Sequence, residues 1–232
     1  MLKRIAVLAV MIVLVLTLPL PASAQTWFQI RYWPTTNSWY YRGGAPPNVT
    51  SNSTFWGLSV RRSVGVWGLS FNIDSGQDNF PGGGSPQTET IWNLNLHRNF
   101  SLPNGMASIY AGYGSASYNA TTPNWVWSQQ GFRIGADFRM NLQNNLYVVG
   151  DLGYGPFGNV TLTNIFVRGT TTEPASVLDW RLGAGIKRGP WEFEAGYRSF
   201  NWRVTPSATT CATTPCGTAW AGWYLGVNFT TP

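Results

Sequence analysis

Ten stretches of the chain put large apolar residues at every second position, with small or polar residues between them. Leu178–Lys187 is the clearest. Leu178, Trp180, Leu182, Ala184 and Ile186 share one face, and Asp179, Arg181, Gly183, Gly185 and Lys187 share the other. Strand side chains switch faces at each residue, so such a segment has one greasy surface and one wet surface. No helical period competes over a comparable length, which makes the fold class all-β. Repeated around a closed sheet, the pattern builds a transmembrane β-barrel with lipid outside and a polar interior. Periodicity alone does not say which face is inside.

The expected strands are Trp27–Trp33, Phe55–Arg62, Val64–Ile73, Thr90–Arg98, Met106–Ser117, Gln130–Met140, Leu146–Tyr154, Leu178–Lys187, Trp191–Phe200 and Ala219–Phe229. The reading is an antiparallel up-and-down barrel of about ten strands, with eight as the alternative. Its connections alternate in length. Pro34–Thr54, Asp74–Glu89, Gly155–Val177 and Asn201–Thr218 are long and Tyr118–Gln129 is intermediate, whereas Ser63, Asn99–Gly105, Asn141–Asn145 and Arg188–Pro190 are short. Short turns at one end and longer loops at the other are the habit of membrane barrels.

Residues 1–24 read as a cleavable signal peptide. Lys3 and Arg4 supply the charged start, Ile5–Leu18 is an unbroken apolar run, and Ala22-Ser23-Ala24 fits the cleavage rule. Residues 25–232 then form one barrel domain. Charged residues are only 10% of the chain, against about 25% in soluble domains. A surface so poor in charge is poorly solvated by water but suits lipid. Without Lys3 and Arg4 the net charge is +4, spread without a basic run, which argues against nucleic-acid binding.

With the first strand running outward, Tyr32, Trp56, Trp92, Tyr113, Tyr154, Trp180, Tyr197 and Trp223 fall toward the long-loop end of the apolar face. Trp67, Phe138, Trp191 and Phe229 fall toward the short-turn end. Amphipathic rings at both levels form an interfacial girdle.

This pattern resembles the small outer-membrane β-barrels of diderm bacteria, the OmpA-like, OmpX-like and opacity-protein group. The most specific piece is the last strand, which looks like that group's C-terminal assembly signal through Gly222, Leu225, Val227 and Phe229. It departs from the group's pattern at Trp220, where a polar residue is usual, and in the trailing Thr230-Thr231-Pro232. The resemblance implies a bacterial outer-membrane location, contact with outer-membrane lipid and recognition by the barrel-assembly machinery.

Ten strands also resemble the omptin proteases, whose chemistry uses acidic residues and a His near the outer rim. Here His97, the one histidine, falls near a short-turn end, while Asp74, Asp78, Glu89 and Glu173 fall on the loop side. No catalytic residues, cofactor or metal site are therefore expected, and the chain is expected not to be an enzyme.

The polar face carries Arg133, Asp137, Arg139, Asp151, Asp179, Arg181, Lys187, Glu192, Glu194 and Arg198. Opposite charges in a narrow interior should pair with neighbouring strands, since an unpaired buried ion costs several kcal/mol. Inward glycines such as Gly135, Gly153 and Gly183 leave room for the long side chains. The expectation is a monomeric barrel plugged by these charges, with an envelope-structural or surface-interaction role. One alternative is a narrow porin-like channel for ions or small solutes. A second is an exported, soluble, lipocalin-like barrel, in which the greasy face lines a cavity. Cys211 and Cys216, the only cysteines, are expected to form a disulfide in an exported protein.

Overall fold

The computed structural model describes residues 24–40, 49–79, 87–119, 125–164, 169–204 and 217–231. They form ten strands: β1 Ala24–Tyr40, β2 Val49–Val64, β3 Trp67–Asn79, β4 Gln87–Leu102, β5 Gly105–Asn119, β6 Trp125–Asn141, β7 Leu146–Asn164, β8 Gly169–Arg188, β9 Trp191–Val204 and β10 Gly217–Thr231. Each pairs antiparallel with its sequence neighbours, and β1 pairs with β10, closing one up-and-down barrel. Ten is the strand number; the eight-strand alternative is excluded.

Every expected strand is present, but most run further toward the loop end. Pro34–Trp39 and Val49–Thr54, within one expected loop, pair with each other in β1 and β2. Much of Gly155–Val177 is likewise a β7–β8 hairpin, with an irregularity between Gly155 and Gly158. Beyond the girdle the outward positions turn to Thr, Ser and Asn, so the alternation fades while the backbone ladder continues. One short turn also shifts. Ser63 lies within β2, and the chain reverses at Gly65–Val66, where Gly65 has φ +57°, a conformation that suits glycine. The segments 1–23, Phe80–Gly84 and the Cys211–Cys216 pair lie outside the described residues.

Register fixes the faces, because directly opposed residues of paired strands share a side. Phe28 faces Val60 and Phe229, and Leu225 faces Tyr32 and Ala195. These positions point outward: Ile30, Phe132, Ile134, Leu182, Trp223 and Leu225 are all more than half exposed. All nine carboxylates of the chain occupy inward strand positions, and among the described residues the outward arginines Arg62, Arg98, Arg188 and Arg203 lie near strand ends.

The expected girdle residues all face outward and form runs of neighbouring rings. At the loop level Tyr32 meets Trp56 at 5.0 Å between centroids, Trp92 meets Tyr113 at 6.1 Å, and Tyr197 meets Trp180 and Trp223 at 5.8 and 5.5 Å. Tyr113 continues to Phe132, while Tyr154 stands exposed on the same face. At the turn level Trp191 meets Phe229 at 5.0 Å, and Arg98 lies over Trp67. A lipocalin-like arrangement needs the greasy face inside; the structure turns it outward.

Candidate functional site

Among the described residues, chemistry-bearing side chains converge in the lumen, which is filled in three tiers. At the loop end, Trp33, Trp39, Phe55, Tyr118, Trp127, Phe200, Trp202 and Trp220 are buried together with Ile91, Val160 and Val177. Trp127 is central: its ring lies 4.7 Å from Trp202, 5.8 Å from Trp220 and 5.9 Å from Tyr118, the last stacked. Beside it, Asn37 Nδ2 donates to Asp78 Oδ2 at 3.1 Å and Glu89 Oε1 at 3.3 Å. The sequence reading missed this apolar plug. Its rings fall one residue out of register with the outward face; Trp39, Tyr118, Trp127 and Trp202 lie on stretches read as loop, and Trp33, Phe55, Phe200 and Trp220 at or near the loop-side ends of expected strands. Trp220, noted as a departure from the assembly signal, is one of its members.

The middle tier is ionic. Asp74 takes Arg31 on Oδ1 and Arg198 on Oδ2, each at 2.7 Å. Arg198 continues to Asp179 at 3.3 Å, and Arg133 reaches the same carboxylate at 3.3 Å. Arg133 Nη2 donates to Tyr110 Oη at 2.8 Å, and Tyr110 donates to Asp151 at 2.9 Å. Gln29 Oε1 accepts from both Arg31 and Arg181, and Tyr224 donates to Glu194 at 2.7 Å. Arg198 also lies 4.5 Å from the Trp33 ring, joining this tier to the aromatic one.

Nine of the ten expected interior charges join this lumen network. Lys187 does not: it is exposed at the turn-side rim, and no ion pair among the described residues includes it. The pairing rule holds in part. Arg198 meets Asp179, and Arg181 lies 3.9 Å from Glu194, on the neighbouring strands β8 and β9, whereas Arg31, Arg61, Arg133 and Arg139 find their carboxylates on strands that are not neighbours. Arg198 on β9 reaches Asp74 on β3, and Arg61 on β2 reaches Asp137 on β6. Arg31, Arg61 and Asp74, absent from the expected network, are therefore essential members. The inward glycines do make room: a Cβ at Gly153 would collide with Arg133 and Tyr110, and one at Gly57 with Asp74.

The turn-side tier pairs Arg139 with Glu192 through two bonds of 2.6 and 2.8 Å. Arg61 binds Asp137 at 2.7 Å and donates to Asn99 and Ser108. His97 Nδ1 lies 3.0 Å from Asp137 Oδ2, and His97 Nε2 lies 2.7 Å from Ser70 Oγ. Arg61, Ser70, His97, Asp137 and Arg139 border a cavity of about 150 Å³ that Trp27, Met106 and Val149 also line. A second cavity, about 30 Å³, lies between the ionic side chains of the middle tier. His97 is on the turn side and buried, away from the rim where omptin chemistry needs its histidine. Among the described residues no group of three or more His, Cys, Asp or Glu side chains is arranged to hold a metal.

The assembly-signal residues sit on the last strand as expected, Leu225, Val227 and Phe229 on the outward face and Gly222 inward against the Pro34 carbonyl.

No protein-family model matches the chain, and no curated protein sequence matches it. Solved structures do. The outer membrane protease OmpT from Escherichia coli is similar over 94% of this chain and 100% of its own, at 11% identity and a TM-score of 0.56. The translocator domain of the autotransporter NalP from Neisseria meningitidis covers 90% and 89% at 11% identity, with a TM-score of 0.45. Ail, the attachment invasion locus protein of Yersinia pestis, covers 90% and 99% at 12% identity, with a TM-score of 0.36. The fold is thus that of a ten-stranded barrel of the outer-membrane kind; at these identities the likeness extends to the fold alone.

Proposed function

We propose that this chain is an integral outer-membrane barrel with a sealed lumen and an envelope-structural or surface-interaction role. The observation that carries the reading is the outward face. It is apolar, bounded by two levels of aromatic rings, and free of carboxylates along the whole circumference. In water such a face would be an aggregation surface; in a bilayer it needs no further partner. Export through a cleaved segment 1–24, a monomeric state and recognition of the last strand by assembly machinery complete the proposal.

The narrow-channel alternative has less support. A passing solute would have to displace the aromatic plug and then separate the Arg31–Asp74–Arg198 pairs. The fold shared with OmpT does not bring its proteolysis, because the one imidazole here lies at the opposite end.

Two measurements test this. Boiled and unboiled detergent extracts should migrate differently on a gel, with the protein in the membrane fraction. Planar bilayers containing it should show no stepwise conductance. A soluble, detergent-free monomer would overturn the membrane reading, and clear salt-dependent steps would overturn the sealed lumen.

A further inference from the structure

The ionic tiers use their charges for one another, but Ser70, His97 and Asp137 stand in an order that packing does not demand. Asp137 is already paired with Arg61 and can only accept, so His97 Nδ1 is the donor between them. That fixes the tautomer and leaves the Nε2 lone pair facing Ser70 Oγ at 2.7 Å. The serine hydroxyl thus donates to an imidazole whose far side is held by a carboxylate. This is the arrangement that activates a hydroxyl as a nucleophile. The three residues come from β3, β4 and β6. Ser70 and His97 both border the turn-side cavity.

Two further features point to a substrate. Arg61 is opposed to Ser70 across β2 and β3 and borders the same cavity, and Asn95 Nδ2 donates to Asn93 Oδ1 at 2.8 Å while lying 3.4 Å from Ser70 Oγ. The Arg61 guanidinium therefore supplies positive charge near the nucleophile, where an oxyanion would develop. The cavity also has apolar lining from Trp27, Met106 and Val149. A cavity of about 150 Å³ takes a short acyl group and excludes a membrane lipid's tail.

We propose that Ser70, His97 and Asp137 form a nucleophilic site that hydrolyses short-chain acyl esters entering the barrel from its turn side. This departs from the sequence expectation of a barrel without chemistry and is independent of any role of the outer face. Ser70 Oγ bonds to the ester carbonyl carbon while its proton passes to His97 Nε2, and the carbonyl electron pair moves onto oxygen on the side of the Arg61 guanidinium. The adduct collapses, the carbonyl–alkoxy bond breaks, and the leaving alcohol takes the proton from His97, leaving acyl-Ser70. Water then attacks the acyl carbon and gives a proton to His97. Ser70 Oγ departs with that proton, releasing the carboxylic acid. Asp137 is a positioning residue that keeps the imidazole in the tautomer both steps need.

The test uses the folded protein in detergent micelles, with a fluorophosphonate probe and p-nitrophenyl acetate. Mass spectrometry should place the phosphonyl adduct on Ser70. Ser70→Ala should abolish the adduct, and His97→Gln should slow labelling at least about 100-fold. Asp137→Asn should also slow it, by no more than His97→Gln does because Asp137 acts through the imidazole, with part of the rate restored by Asp137→Glu. Each variant's folding is checked by its heat-dependent gel mobility. A folded wild-type protein carrying no adduct on Ser70 overturns the proposal without recourse to any variant. So does a folded His97→Gln variant that labels at the wild-type rate.

Discussion

Placing an arginine at successive depths on the outward face of β8 tests whether hydrocarbon touches that face. Trp180 marks the loop-side aromatic level and Arg188 the last residue of the strand. With a rise of about 3.3 Å per residue and a tilt near 40°, each residue adds roughly 2.5 Å of depth, so the span between them is roughly 20 Å. Ala184 then lies near the middle, Leu182 about a quarter of the way in, and Leu178 above the aromatic level. An arginine at the midplane costs about 2–4 kcal/mol and near an interface about 0–1 kcal/mol. Ala184→Arg should therefore destabilise by about 3 kcal/mol, Leu182→Arg by about 2 kcal/mol and Leu178→Arg by under about 1 kcal/mol. None of these side chains packs in the lumen; Leu182 is 57% exposed, so core disruption contributes little. The assay is reversible guanidinium unfolding in lipid vesicles, following tryptophan emission. Equal costs at the three depths, or a neutral Ala184→Arg, would refute a lipid-facing band.

Three other outcomes follow from the lumen and the loops. Asp74→Asn strips the carboxylate between two buried guanidiniums, Arg31 and Arg198, and should cost about 3–5 kcal/mol in the same assay; an unchanged midpoint would mean the pairs are not the clamp they look like. Gly153→Val puts a branched side chain into the space held by Arg133 and Tyr110, so the variant should fail to show the folded band in unboiled gels. Cys211 and Cys216 are proposed to close a disulfide; intact mass should lie two hydrogens below the reduced chain, and Cys211→Ser should destabilise by about 2 kcal/mol at most because the loop is short. A free thiol count of two in the untreated protein would dismiss the bridge.

The part of each strand between the two aromatic levels was legible because two patterns coincide there. Its outward side chains are apolar and its inward ones small or polar, so Leu178–Lys187 carries the fold in its own alternation. Beyond the girdle the outward demand lapses. In Pro34–Tyr40 and Thr170–Ala175, Thr, Asn and Pro satisfy water on one side, and nothing in the pattern distinguishes strand from loop. The same change hid the aromatic plug: Trp39, Trp127 and Trp202 lie beyond or at the edge of the expected strands, where parity was not being counted. An alternation check extended past Trp33 would have found Trp33, Thr35, Asn37 and Trp39 on one side. The ionic network was half legible. Residue type and parity identified its later members, but no sequence rule announces that β9 will pair with β3 across the lumen.

That cross-lumen pairing also explains how the two ends of the barrel can serve different purposes. A charge paired along the wall would leave the centre open, whereas Arg198 bridging to Asp74 and Arg61 bridging to Asp137 tie opposite walls through the axis. Because Arg198 also packs on Trp33, loosening the aromatic plug would strain the ionic tier beneath it, so the two seals reinforce each other. The turn-side cavity lies below both tiers and is bordered by Ser70, His97 and Arg61. With the lumen sealed as proposed, this end of the barrel has the form of a pocket, and the hydrolysis proposed for it would belong to the compartment on the turn side.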